Sequence, residues 1–114
     1  MIKEQLVSFE VAQLLKAKGF NVIVTDSYRA NGQLRGEFKF CNYPAPTQQM
    51  AMRWLREKHD IKISLYYRMV LGKWQVTLNY PTKCGSGGRI LGKYTIYEDA
   101  VEIAIKYCLE EIVK

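Results

Sequence analysis

Thr47-Gln48-Gln49-Met50-Ala51-Met52-Arg53-Trp54-Leu55-Arg56-Glu57-Lys58, then Ile61 to Arg68 and Lys73 to Tyr80, is the stretch that decides the fold. Met50, Ala51, Trp54, Leu55 and the stem of Lys58 recur at helical spacing and form one apolar stripe. Pro46 stands just before the helix, where its fixed φ is tolerated, and Thr47 offers a hydroxyl to cap the first turn. The two following segments alternate. Ile61, Ile63, Leu65 and Tyr67 oppose Lys62, Ser64, Tyr66 and Arg68; Trp74, Val76, Leu78 and Tyr80 oppose Gln75, Thr77 and Asn79. A hairpin turning at Met69-Val70-Leu71-Gly72 pairs Arg68 with Lys73, Tyr67 with Trp74, Leu65 with Val76, Ile63 with Leu78 and Ile61 with Tyr80. Every apolar residue then meets an apolar one. A slip of one residue would carry a whole apolar set to the polar face, so the register parity is strongly specified. One face of this sheet is core and the other is polar and open.

Toward the C-terminus, Pro81 to Gly88 reads as a flexible glycine-bearing loop and Arg89 to Tyr94 as a short edge strand. Thr95-Ile96-Tyr97-Glu98 fits a capping box, with Thr95 at the N-cap. Ala100, Val101, Ala104, Ile105, Cys108, Leu109 and Ile112 then make a continuous helical face. Toward the N-terminus, a helix is expected from Phe9 to Lys18, capped by Ser8, with Val11, Leu14 and Leu15 facing inward. Gly19 suits the left-handed position after it, and Phe20 can pack back on Leu15. Asn31-Gly32 is a strong hairpin dipeptide, which predicts paired strands over Asn21 to Tyr28 and Gln33 to Phe40. Cys41 to Pro46 is expected to be a loop. The chain thus reads as one α+β domain over residues 1–114: an antiparallel sheet of three to five strands, helices on one face, order α-β-β-α-β-β-(β)-α.

Apolar residues make up 48% of the chain and charged residues 25%, ordinary values for a globular domain. No apolar run approaches the roughly 18 residues of a membrane span, and Met-Ile-Lys-Glu-Gln-Leu is no signal peptide, so the expectation is a cytoplasmic protein without a membrane partner. Cys41, Cys84 and Cys108 are odd in number and widely spaced, as free thiols in a reducing compartment would be. The net charge of +6 is uneven. Residues 1–45 carry six Lys/Arg against four Asp/Glu, residues 46–94 nine against two, and residues 95–114 two against five. The central segment is basic and the last helix acidic.

No motif points to catalysis, a metal or a cofactor. Gly87-Gly88-Arg89-Ile90-Leu91-Gly92-Lys93 has the spacing of a phosphate-binding loop, but Tyr94 stands where the magnesium-binding Ser or Thr is required. Cys41, His59, Cys84 and Cys108 contain neither a Cys-x-x-Cys pair nor a paired His, as structural zinc sites do. Glu98/Asp99 and Glu110/Glu111 fall on the solvent side of the last helix. The one functional surface that can be built is the open sheet face, with Lys62, Tyr66, Arg68, Lys73, Gln75 and Thr77, and with Arg89 and Lys93 alongside. Basic and aromatic residues together suit a protein interface, or the phosphates and bases of a nucleic acid. The expectation is a non-enzymatic interaction domain with a protein partner ahead of nucleic acid, a homodimer being one form of such an interaction. A small enzyme built on His59 with Cys41 or Cys84 is the remaining alternative.

Two resemblances add to this. The order helix, three strands, helix over residues 47–114 is similar to the double-stranded RNA-binding domain. That family grips phosphate with Lys-Lys-x-Ala-Lys at its second helix, where this chain has Tyr97-Glu98-Asp99-Ala100-Val101, and its Gly-Pro-x-His loop is replaced by Met69-Val70-Leu71-Gly72. No binding residue carries over. Phe9-Glu10-Val11-Ala12 through Lys18-Gly19-Phe20, Ala45-Pro46-Thr47-Gln48 through Trp54-Leu55-Arg56-Glu57, and Tyr97-Glu98-Asp99-Ala100 through Tyr107-Cys108-Leu109-Glu110 resemble a family of small proteins of gut bacteria and their prophages. That resemblance implies an α+β fold in a bacterial cytoplasm and brings no activity with it.

Overall fold

The structure is a computed structural model, and it describes residues 5–22, 24, 26–35, 43–83 and 85–113. Helices α1 (Phe9–Ala17), α2 (Gln48–His59) and α3 (Tyr97–Tyr107) accompany two antiparallel sheets. The larger sheet has the order β4-β5-β6, from β4 (Lys62–Arg68), β5 (Lys73–Thr82) and β6 (Gly85–Tyr94). The smaller has the order β2-β1-β3, from β1 (Ser27–Tyr28), β2 (Leu34–Arg35) and β3 (Tyr43–Pro44). The fold is α+β.

The helix signals in the sequence are used locally. The Ser8 hydroxyl accepts from the Val11 N–H at 3.3 Å, and the Thr47 hydroxyl from the Met50 N–H at 3.1 Å. After α1, Gly19 takes φ +88°, its N–H donates to the Lys16 carbonyl and the Phe20 N–H donates to the Leu15 carbonyl. That is the double closure that satisfies two orphan carbonyls at a helix end. α3 departs from expectation. Its N-cap is Ile96, with no side-chain bond, so Thr95 and Glu98 do not form a capping box. β6 runs on to Tyr94, paired with Trp74, and Thr95 is spent in the turn out of the sheet. Glu98 and Asp99 in the first turn still complement the positive end of the helix dipole. The helix ends in a π-helical turn, Cys108–Ile112, which the Val113 N–H closes on the Cys108 carbonyl at 2.8 Å.

The central hairpin has the expected register, from Arg68 opposite Lys73 to Ile63 opposite Leu78, although β4 begins at Lys62 rather than Ile61. Pro81 to Gly88 is not the loop expected. β5 extends to Thr82 and β6 starts at Gly85, with Tyr80 opposite Gly87 and Asn79 opposite Gly88. Gly87 and Gly88 leave room there for side chains of the paired strand. A Cβ on Gly87 would stand 2.6 Å from the Thr82 Cγ2, and one on Gly88 3.0 Å from the Asn79 Oδ1.

The N-terminal hairpin forms at Asn31-Gly32 as expected. The Arg29 N–H donates to the Gln33 carbonyl around Asn31-Gly32, and among the described residues Ser27–Tyr28 pairs with Leu34–Arg35. Asn21, Val22, Val24 and Asp26 are not in a strand, while Ile23, Thr25 and residues 36–40 lie outside the described residues. Tyr43–Pro44, expected in a loop, pairs as an edge with β1, a place where proline's missing N–H costs nothing; Cys41 and Asn42 lie outside the described residues. This sheet is fastened to α1. Phe9 sits 5.6 Å from both the Tyr28 and the Tyr43 ring, and the Tyr28 hydroxyl donates to the Val7 carbonyl at 2.6 Å.

The core lies between the large sheet and the helices. Val11, Leu15, Ala51, Leu55, Val76, Leu78, Ala100, Val101, Ala104, Ile105, Cys108 and Leu109 are buried. On α2 the stripe is rotated from that expected: Met50 is exposed and Gln48 is buried, because the Gln48 amide donates to the Glu98 carbonyl at 3.0 Å and to Glu102 Oε1 at 3.3 Å. Trp54 is 5% exposed and packs edge-on against Phe20 at 5.3 Å and His59 at 4.8 Å. Trp54→Ala is expected to cost roughly 3–5 kcal/mol, read as a lower midpoint in urea or thermal melting. Burial also pushes the Cys108 thiol up from 9.0 to about 12. The unfolded chain releases this proton first, so its contribution is whole below pH 9.0 and is lost as pH rises toward about 12. The urea midpoint of Cys108→Ala should therefore fall less steeply over that window than that of the wild type.

Candidate functional site

Because α2 and α3 cover one side of the large sheet, the other side holds the polar halves of the alternation. Cross-strand pairing orders it into rows. Arg68 stands beside Lys73 at the hairpin end. Next come Tyr66, Gln75 and Lys93, then Ser64, Thr77 and Ile90, then Lys62, Asn79 and Gly88. Tyr66 is 56% exposed and Ile90 62%. The Arg68 Nη1 donates across the hairpin to Gln75 Oε1 at 3.5 Å, the long end of a hydrogen bond, which lays the guanidinium along the face. Lys62 donates to Asp60 at 2.8 Å and is partly neutralised. Lys73 and Lys93 are exposed and have no charged partner among the described residues.

Lys62, Tyr66, Arg68, Lys73 and Lys93 therefore share the face, and Arg89 does not. Val76 pairs with Gly92 but Thr77 with Ile90, which leaves Leu91 as a bulge. Strict alternation would put Arg89 and Lys93 on one side. The extra residue shifts the phase, so Arg89 lies opposite Leu78 on the helix side and Ile90 takes the open face. There the Arg89 Nη1 donates to the Tyr107 hydroxyl at 2.7 Å, and its guanidinium lies 5.2 Å from that ring's centre. Ile90 as a face residue was not read from the sequence, since a bulge leaves no composition signal of its own.

Residues 61–97 contain Lys62, Arg68, Lys73, Lys83, Arg89 and Lys93 and no Asp or Glu at all. The sheet is thus the source of the positive charge. At its hairpin end the turn exposes three consecutive apolar residues, Met69 at 85%, Val70 at 99% and Leu71 at 49%. Gly72 closes this turn at φ +63° with its N–H on the Arg68 carbonyl at 2.8 Å. Three apolar residues in a turn are unusual, and that signal was legible in the sequence.

The open cleft of about 570 Å³ is lined by Tyr80, Pro81, Thr82, Lys83, Tyr107, Glu111 and Ile112, with no Cys or His among them. Cys41 and Cys84 lie outside the described residues, so their relation to His59 is not part of the geometry. Among the described residues no group of three or more His, Cys, Asp and Glu is placed to hold a metal ion. The phosphate-loop-like segment Gly87 to Lys93 is strand β6 of an antiparallel sheet, not a loop leading into a helix. No helix among the described residues is long and apolar enough to cross a membrane. No protein-family model, curated protein or solved structure matches the chain.

Proposed function

We propose that this protein is a non-enzymatic interaction domain whose open sheet face binds an acidic surface of a protein partner. The observation that carries the reading is the acid-free sheet, with Tyr66, Lys73, Lys93 and Ile90 exposed together on the side that no helix among the described residues covers. Tyrosine and arginine give large contact at interfaces, and cations steer an acidic partner. A nucleic acid is the second reading, on the same cations and Tyr66. Glu98 and Asp99 are exposed on the first turn of α3, so that helix would add no phosphate contact to those of the sheet face.

Photo-crosslinking in cells tests the reading. A crosslinker at Gln75 or Thr77 should trap a protein, and one at Ile103 on α3 should not. Tyr66→Glu with Lys93→Glu should abolish the product, while Arg89→Glu should spare it. Equal trapping from both sides would sink the proposal. Single- and double-stranded oligonucleotides at about 50 mM salt, where phosphate contacts are strongest, separate the second reading. Binding there that falls steeply with salt and is lost on Arg68→Glu with Lys73→Glu would favour nucleic acid.

A further inference from the structure

The hairpin tip adds an apolar end to the cations of the sheet face. Met69, Val70 and Leu71 project from its end, and Val70 is 99% exposed. No described residue outside the turn shields it, Met69 being 85% exposed as well. A monomer seldom leaves three consecutive large apolar residues in water, and such exposure marks an interaction site.

What surrounds the tip identifies the partner. Directly behind it stand Arg68 and Lys73, paired across the hairpin. Two residues further back, about 7 Å at the rise of a strand, Lys93 lies beside Gln75, which is itself beside Tyr66. Tyr67 is exposed on the other side of the same hairpin, its ring 5.2 Å from Trp74. Moving back from the tip, the side chains are apolar, then cationic, then cationic and aromatic. An anionic bilayer presents the matching layers to an incoming protein: hydrocarbon deepest, phosphate above it, and an interfacial zone that favours tyrosine. A protein groove deep enough for a tip exposed on every side is the more demanding partner.

We propose that the β4–β5 hairpin docks tip-first on an anionic lipid surface. Met69, Val70 and Leu71 enter the boundary between headgroups and acyl chains, and Arg68, Lys73 and Lys93 meet the phosphates. The proposal goes beyond the sheet-face reading, since the three apolar residues are not on that face. It also departs from the expectation of no membrane partner. That expectation came from the length of apolar runs, which detects spanning segments and not a three-residue tip.

The full chain is sedimented with vesicles of phosphatidylcholine, and of phosphatidylcholine with phosphatidylglycerol, at about 50 mM and about 500 mM salt. The wild type should pellet with the anionic vesicles at low salt and not with the neutral ones. Replacing Met69 and Val70 together by Ser should weaken this at least about tenfold and leave the melting curve unchanged, because those side chains are 85% and 99% exposed. Arg68→Glu with Lys73→Glu should abolish it, and Ile103→Ser, an exposed apolar residue on α3, should not change it. The proposal is overturned if anionic vesicles fail to bind at low salt, if neutral vesicles bind equally, if the serine variant binds as the wild type does, or if the protein pellets without vesicles.

Discussion

The apolar stripe of α3 is the constraint on which the molecule is built. Ala100, Val101, Ala104, Ile105, Cys108 and Leu109 are all buried, and α3 packs against β5, β6, α1 and α2. The small Ala100 and Ala104 side chains let the helix lie close to the sheet. Its neighbour Glu102 serves the polar side of the same junction. Its Oε1 accepts the Ser8 N–H at 3.0 Å and the Gln48 amide at 3.3 Å, joining the start of α1 and the start of α2 to α3. Among the described residues no buried side-chain polar atom lacks a partner. A carboxylate that takes donors from two other helices fixes their relative positions in a way apolar contact alone does not.

From this follows the shape of the exposed surface. The helices occupy one side of the large sheet, and the small sheet is tied to α1 through Phe9, Tyr28 and Tyr43. The opposite side of the large sheet keeps Tyr66 and Ile90 in solvent. The acidic residues concentrate in α3 and its final turn, while residues 61–97 hold cations only. The large sheet therefore carries no acid of its own, and its main hairpin ends in exposed apolar side chains.

Much of the architecture and part of the site were legible in the sequence. The alternation of Ile63, Leu65, Tyr67 with Trp74, Val76, Leu78 admits one register parity, because any odd slip would expose an apolar row, and the structure has that register. Ser8 and Thr47 cap α1 and α2 because a short hydroxyl before an apolar stripe satisfies an N–H within three residues. Membership of Lys62, Tyr66, Arg68 and Lys73 in one face follows from the same alternation. Where the rule is local, composition and spacing suffice.

The tertiary structure decided what depends on partners distant in sequence. Thr95 lost its cap to Ile96 because β6 pairs as far as Tyr94. Gln48 turned inward because Glu98 and Glu102, about fifty residues away, accept its amide. Tyr43–Pro44 became a strand because β1 stands beside it. The bulge at Leu91 sent Arg89 to Tyr107 and Ile90 to the open face, reversing what period-two spacing implies. The sequence by itself determined the helices, the main hairpin and the sign of the charge, since these arise from neighbours along the chain. That Arg89 leaves the surface shared by the other cations, and that Ile90 joins it, was decided only when β6 paired with β5 around the bulge.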